Sequence, residues 1–302
     1  MNAETQAADK GRVVDVLLVN WNTGACLERC LESLFRLHPE LDLRALVVDN
    51  ASRDGSEAAA GKFGRARLIV NSANRGFAAA VNQALAEIRS NASYLLVLNP
   101  DTEFRANVLT PLMQFLDSSP QTGIVTPWIE GPDGRFQATC RRREPSPAAV
   151  LAHLTGLAGL FPRHPRISGY TYGGLGPELP AVVEAVSGSF MLVRREVFER
   201  LGGFDERYFM YAEDLEFCRR ARLDGWEIAY RPLRGVVHHG AVSSGGRRFR
   251  SLWHKHCSAV QYLNSARRGD YAFPVRWLLS LAVLLLFPPR AFWMLLAGGR
   301  RD

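Results

Sequence analysis

The feature that most constrains this chain is an alternation in its first hundred residues. Short, largely apolar runs, VVDVLLVN (13–20), ALVVDN (45–50), ARLIVN (66–71) and YLLVLNPD (94–101), are separated by stretches of helical period. One such stretch carries Leu27, Leu31 and Leu34 on a single face, and GFAAAVNQALAEI (76–88) forms another. Strands that are apolar on both faces must be covered on both faces. A parallel sheet flanked by helices does this. The expected fold is therefore α/β with a mixed, mainly parallel sheet. Such sheets bind ligands beyond the carboxyl ends of their strands. The residues that fall there are polar: Asn20, Asn22, Asp49, Asn50, Asn71, Asn99 and Asp101.

The remaining pattern is less regular. A helix is expected near Asn107 to Leu116, followed by a strand in GIVTPWI. Residues 131–180 are rich in Pro, Gly and Arg and read as loops, with a short helix around Ala148 to Leu160. VEAVSGSFMLVRREVFERLGG reads as strand then helix, WEIAYRP and GVVHHG as strands, and residues 250–267 as a helix. The chain divides into a polar, disordered N-terminus (1–11), an α/β body (12–246) and a C-terminal region (247–302). The 302 residues suffice for one large domain with an appendage. No signal peptide is visible. Five cysteines without a CxxC suit buried, reduced thiols.

Charge is distributed unevenly. Residues 247–302 hold ten Lys or Arg against two Asp, a net of +8, so within the total of +7 the body carries −1. The same region ends in RWLLSLAVLLLFPPRAFWMLLAGGRRD. Its apolar run from Trp277 to Phe287 is shorter than the ~20 residues a spanning helix needs, and Pro288, Pro289 and Arg290 interrupt it. Short apolar helices flanked by Arg and Trp suit the interface of an anionic membrane, although a buried helix pair gives the same pattern.

Neither GxGxxG nor GxxxxGK[ST] is present, so a nucleotide's phosphates must be neutralised by other means. Asp101 and Glu103, in NPDTEF just past a strand end, are spaced to hold a hard divalent cation. His238 and His239 follow another short strand and offer an imidazole ligand. In FMYAEDLEFCRR (209–220), Asp214 aligns at helical spacing with Phe217, Cys218 and Ala221, so it leans inward. Glu213 aligns with Glu216 and Arg220, so it reads as solvated. By local pattern alone, Asp214 is equally a favourable partner of the helix dipole.

In order along the chain, six segments resemble glycosyltransferase family 2, of the GT-A fold, and within it bacterial rhamnosyltransferase-like members. They are VLLVNWNTGACLERCLESL, LVVDNASRDGS, NSANRGFAAAVNQAL, LLVLNPDTEF, VSGSFMLVRREVFERLGGFDERYFMYAEDLEFCRRARLDGW and VVHHGAVSSG, within residues 13–246. The resemblance implies roles for residues of this chain. Asp49 corresponds to the carboxylate that hydrogen-bonds the nucleotide base, in a pocket shared with Asn20, Asn22 and Asn50. Arg75, Gly76, Gly188 and Ser189 join the nucleotide-sugar site. Asp101 and Glu103 occupy the DxD position, with Glu103 departing from the commoner Asp, and His238 corresponds to a later metal or diphosphate ligand. Asp214 falls on the second residue of the ED motif, the catalytic base.

The implied activity is inverting, dependent on Mg²⁺ or Mn²⁺, with dTDP-L-rhamnose or a UDP-sugar as donor. A lipid-linked saccharide at the cytoplasmic face of the plasma membrane is the implied acceptor, and no nucleic acid is involved. The alternative is a non-catalytic nucleotide- or glycan-binding scaffold, which would be expected to have lost these carboxylates. A nucleotidyltransferase would carry a Gly-rich loop that NWNTGACLERC lacks.

Overall fold

The computed structural model of the chain describes residues 12–146, 169–240 and 248–298, with a few isolated positions between 147 and 168. The disorder expected for residues 1–11 lies outside the described residues, as does most of the helix expected around Ala148 to Leu160. Strands β1 (Val13–Asn20), β2 (Asp42–Asp49), β3 (Ala66–Val70) and β4 (Tyr94–Leu98) alternate with helices α1 (Gly24–Leu37), α2 (Ser56–Gly61) and α3 (Phe77–Ala86). The strands lie side by side in the order β3-β2-β1-β4, all parallel. Val16, Leu17 and Leu18 of β1 are wholly buried although they point to alternate faces, and Leu27, Leu31 and Leu34 of α1 cover one of those faces.

The second half adds β5 (Thr102–Phe104), α4 (Leu109–Ser118), β6 (Thr122–Thr126), β7 (Ile129–Glu130), β8 (Arg141–Arg142), β9 (Ala181–Val182), β10 (Ala185–Val186) and β11 (Phe190–Arg194). Then come α5 (Arg195–Leu201), α6 (Glu213–Leu223), β12 (Glu227–Tyr230) and β13 (Val236–His238). The main sheet becomes β3-β2-β1-β4-β11-β6-β12-β9. β11 runs antiparallel to both β4 and β6, and β12 is parallel to β6. The sheet is thus mixed and mainly parallel, as expected. Two small sheets, β5-β13-β7 and β8-β10, stand at the carboxyl edge of the parallel strands. They are there because β5 follows directly on β4, and because Phe190 at the start of β11 pairs with Leu98 at the end of β4.

Three helices close the described chain: α7 (Arg248–Asn264), α8 (Phe273–Leu285) and α9 (Phe287–Gly298). α7 is docked on the body by polar contacts. The Oγ of Ser258 donates to the carbonyl of Met210 at 2.7 Å, and the hydroxyls of Tyr211 and Ser251 meet at 2.6 Å. Glu144, after β8, accepts from Arg222 of α6 and Tyr262 of α7. α8 packs back on α7 through Leu263 and Val283, and Nδ1–H of His256 donates to the carbonyl of Val283 at 2.7 Å.

The two short apolar helices expected here are present, dividing at Leu286, and what is corrected is the length of the apolar stretch. Both prolines occupy the first turn of α9, where a missing N–H leaves no helical bond unmade. Phe273–Phe292 therefore forms a 20-residue stretch that is long and apolar enough to cross a membrane, by length and composition. Its outer face is bare: Trp277, Leu278, Leu285 and Phe292 are each more than half exposed.

Candidate active site

A cavity of about 580 Å³ opens at the carboxyl edge of the sheet. Asn50, Asn99 and Asp101 line it from the strand ends, His238 from β13, and Gly188 and Ser189 from the turn before β11. Phe209, Tyr211, Glu213 and Asp214 form another wall, and Arg250, Ser251 and His254 of α7 close the rim. Met210 lies in the same wall, between Phe209 and Tyr211. Six of the residues that the family resemblance assigns to the site meet here: Asn50, Asp101, Gly188, Ser189, His238 and Asp214.

At one end, Nε2 of His238 lies 3.2 Å from Oδ1 of Asp101. Gln137 fixes the histidine. Its amide N–H donates to the carbonyl of His238 at 2.7 Å, which leaves its Oε1 to accept from Nδ1 of the same residue at 2.9 Å. The proton of a neutral His238 is then on Nδ1, and Nε2 presents a lone pair toward the Asp101 carboxylate. Two acceptors that close require something electropositive near them. Asn99 supplies an N–H to Nε2 at 3.3 Å, and the remaining demand suits a proton or a cation. Glu103 does not join this pair. Its Oε2 meets Nε2 of His239 at 2.9 Å, and it does not line the cavity. The register explains this. Val237 pairs with Glu103 and His238 with Thr102, and residues diagonal across an antiparallel ladder come within reach, so His239 reaches Glu103. No cluster of three or more potential metal-ligating side chains occurs among the described residues. A carboxylate and an imidazole nevertheless fit a hard cation whose other ligands are substrate phosphates and water, the usual arrangement for Mg²⁺.

At the other end, α6 begins after two consecutive non-glycine residues in the left-handed region, Tyr211 (φ 70°) and Ala212 (φ 64°). Each such residue costs on the order of 1–3 kcal/mol and is retained where the surroundings enforce it. This turn aims both carboxylates at the cavity. Asp214 behaves as its spacing predicts, with Phe217, Cys218 and Ala221 behind it fully buried and Gly225 (φ 93°) ending the helix. Its Oδ2 pairs with Nη2 of Arg142 at 2.6 Å and accepts the N–H of Gly188 at 3.0 Å, while its Oδ1 accepts the N–H of Leu215 at 2.8 Å.

The reading of Glu213 as solvated is corrected: it is only 6% exposed. Burial, then the neighbouring Asp214 charge, push its carboxyl well above the ordinary range, to about 8. Sequence reasoning also missed Arg142 and Gln137, which lie in the stretch read as loops. The only local signal was the arginine run in CRRREP (140–145).

The family model described as Glycosyl transferase family 2 matches residues 15–202, and a second, Glycosyltransferase like family 2, matches residues 180–252. The chain belongs to glycosyl transferase family 2. It is 34% identical over 285 residues to the N-acetylglucosaminyl-diphospho-decaprenol L-rhamnosyltransferase of Mycobacterium tuberculosis, covering 90% of this chain and 91% of that protein. Rhamnosyltransferase WbbL of Escherichia coli K12 is 42% identical over 89 residues, which is 28% of this chain and 33% of that one. Among solved structures, the fold is similar to the mannosyltransferase PcManGT from Pyrobaculum calidifontis, determined with GDP-Man and Mn²⁺. The TM-score is 0.58 at 21% identity, over 97% of this chain and 76% of that one. GalNAc-T7 with UDP, GalNAc and Mn²⁺ gives 0.56 at 15% identity, over 87% and 52%.

In this family 2 glycosyltransferase, the residues expected around the donor's base form a bonded network beside the cavity. Nδ2 of Asn20 donates to Oδ1 of Asp49 at 2.7 Å, and the N–H of Ser52 donates to Oδ2 at 2.8 Å. Asn22 accepts the N–H of Arg53 at 2.8 Å, and Asn50 donates to the carbonyl of Gly76 at 3.1 Å. Gly76 (φ 87°) has no alternative, because a Cβ there would lie 2.5 Å from the carbonyl oxygen of Phe209. Of this set, Asn50 lines the cavity, whereas Asn20, Asn22, Asp49, Arg75 and Gly76 do not. The five cysteines are free thiols, four of them buried, as expected.

Proposed function

We propose that this glycosyltransferase moves L-rhamnose, with inversion, from dTDP-L-rhamnose to a saccharide joined by a diphosphate to a polyprenol at the cytoplasmic face of a membrane. The observation that carries this reading is one cavity with Asp101 and His238 3.2 Å apart at one end and the ion-paired Asp214 at the other. The likeness to the mycobacterial rhamnosyltransferase over nearly the whole of both chains supports the choice of sugar and acceptor class. α7 supports the membrane setting, because the helix that forms the rim also packs against the exposed apolar α8 and α9.

In the proposed reaction, an acceptor hydroxyl attacks the anomeric carbon from the face opposite the nucleotide. Its proton passes to Asp214, and the bond from the anomeric carbon to the diphosphate oxygen breaks. Each carboxylate oxygen has two lone pairs, so Oδ1, which accepts one N–H, still has room for this proton. Arg142 and the N–H of Gly188 hold the carboxylate in place. Asp101 and His238 would hold Mg²⁺ or Mn²⁺, with Glu103 as a further ligand only if it leaves His239. When bound, the ion neutralises charge developing on the leaving diphosphate. Two similar folds were solved with Mn²⁺, which supports a divalent ion here. The 12–246 body and 247–302 membrane region are proposed as the functional units.

The test is a panel of dTDP-, UDP- and GDP-sugars with a polyprenyl-diphosphate saccharide acceptor, read by mass spectrometry with and without excess EDTA. Transfer from dTDP-L-rhamnose that EDTA abolishes is the expected result. Preference for a UDP-sugar overturns the donor assignment, and full activity in EDTA overturns the metal.

A further inference from the structure

The adjacent carboxylates of α6 are unequally provided for. Asp214 has a cation and two backbone N–H donors. Glu213 lines the same cavity, yet its buried Oε2 has no hydrogen-bond partner among the described residues. Buried polar atoms without partners are rare in folded proteins and call for an explanation. The charged and titratable groups around Glu213 do not supply a cation of its own. Asp214 beside it is negative, and Arg142 on β8 is committed to Asp214 and the carbonyl of Val186. Tyr211 before the helix is bonded to Ser251. Across the cavity stand Arg250 and His254 of α7, and Asp101 and His238 at the sheet edge, none of them in a salt bridge or hydrogen bond with Glu213.

We propose that Glu213 works as a neutral carboxylic acid whose O–H donates to a sugar hydroxyl oxygen in the cavity, while Asp214 carries the one negative charge of the pair. This inference rests on the sugar-transfer reading. It makes Glu213 a specificity-determining residue and leaves Asp214 as the proton acceptor. Two neighbouring buried carboxyls cannot both ionise cheaply, and Arg142 decides which one does. The unpartnered Oε2 is then the atom that a bound sugar completes.

Three full-length proteins test this: wild type, Glu213→Gln and Glu213→Ala. The amide of Gln is neutral at every pH and keeps an N–H donor, whereas Ala has none. For wild type, kcat/KM should decline on the alkaline side near the raised Glu213 value of about 8. Glu213→Gln should lose about threefold at neutral pH and lack that decline, and Glu213→Ala should lose tenfold or more, the scale of one hydrogen bond to a substrate hydroxyl. Whether the KM of the nucleotide-sugar or of the acceptor rises in the Ala protein identifies which sugar is held. A Gln variant as inactive as Asp214→Asn would make Glu213 the base, and an Ala variant equal to wild type would remove any role. Both outcomes overturn the proposal.

Melting temperature against pH is the second readout. The folded-state value lies above the ordinary 4.5, so the stabilisation from the bound proton is complete below 4.5 and is lost as pH rises through about 8. Wild type should therefore fall relative to Glu213→Gln across that window, and parallel curves refute a neutral Glu213. If wild type transfers nothing from any donor, the sugar-transfer reading fails and the sugar partner with it, while the melting curves still decide the protonation state.

Discussion

Asp214 holds the centre of the site through contacts that a single atom change can separate. Asp214→Asn keeps the shape and removes the proton acceptor. Turnover should fall by ~10²–10⁴-fold, the usual contribution of a general base, with donor affinity close to wild type. Were Asp214 only a structural partner of the buried Arg142, the variant would lose about 3–5 kcal/mol of stability and the folded protein would stay active. Turnover, nucleotide-sugar binding and melting temperature, measured together, distinguish these. Gln137 acts one step further out. It orients His238 by two hydrogen bonds without itself lining the cavity. Outer partners of metal ligands typically contribute 10–100-fold in metal affinity. Gln137→Ala should therefore raise the Mn²⁺ concentration needed for half-maximal activity by at least about tenfold, while kcat at saturating ion recovers. An unchanged Mn²⁺ requirement would remove His238 from the cation site.

Among the elements, the docking of α7 decides whether the cavity has a rim. Glu144 is the hub. It accepts from Arg219 and Arg222 of α6 and from Tyr262 of α7, with Arg267 nearby. Burial alone would raise its pKa. The bonds from Arg222 and Tyr262 and the charges of Arg219 and Arg267 outweigh that and hold it below its ordinary 4.5. The folded state thus binds this proton less well than the unfolded chain. Its stabilisation is complete above pH 4.5 and is lost as pH falls through the folded value. Below pH 4.5, hydrogen exchange should therefore quicken in α7 before it does in the main sheet. Glu144→Gln should show the same loosening at neutral pH, with a loss of about 2 kcal/mol, the range for hydrogen bonds to a charged group. Exchange that quickens uniformly would mean that Glu144 does not govern this docking.

At the scale of the whole molecule, charge and apolar surface are gathered at one end. The C-terminal region carries +8 against −1 for the rest, and α8 and α9 expose Trp277, Leu285 and Phe292. Attraction of basic residues to anionic lipid adds to apolar burial, about 1 kcal/mol for each Lys or Arg near the surface. Deleting residues 271–302 should release the protein from anionic vesicles and leave the sheet folded, since the main core is built from elements before α7, with Tyr262 the one α7 residue among its buried members. Sedimentation with vesicles and circular dichroism on both forms check this. Carbonate extraction of the full-length protein separates the remaining geometries: release means that Phe273–Phe292 lies on the bilayer, retention that it crosses.

What local pattern can determine, the sequence determined. Apolar runs such as LLVL require burial on both faces, so the α/β layers and the polar carboxyl edge were legible from the chain alone. So was the inward lean of Asp214, because Phe217, Cys218 and Ala221 share its helical stripe. Three features needed the tertiary structure, each because a distant segment supplies the missing half. FMLVR reads as a strand, but direction is not encoded in an apolar run, and only pairing with β4 and β6 makes it antiparallel. A helical wheel places Glu213 outside because it knows only its own helix. The strained turn at Tyr211 and Ala212 points that helix's start into a cavity whose rim is α7, some 40 residues later in the chain. Arg142 and Gln137 sit in an aperiodic stretch whose only local signal, the arginine run 141–143, names no partner. Arg142 reaches Asp214 because β8 pairs with β10, 44 residues away at Ala185 and Val186, and that long-range pairing exists only once the chain has folded.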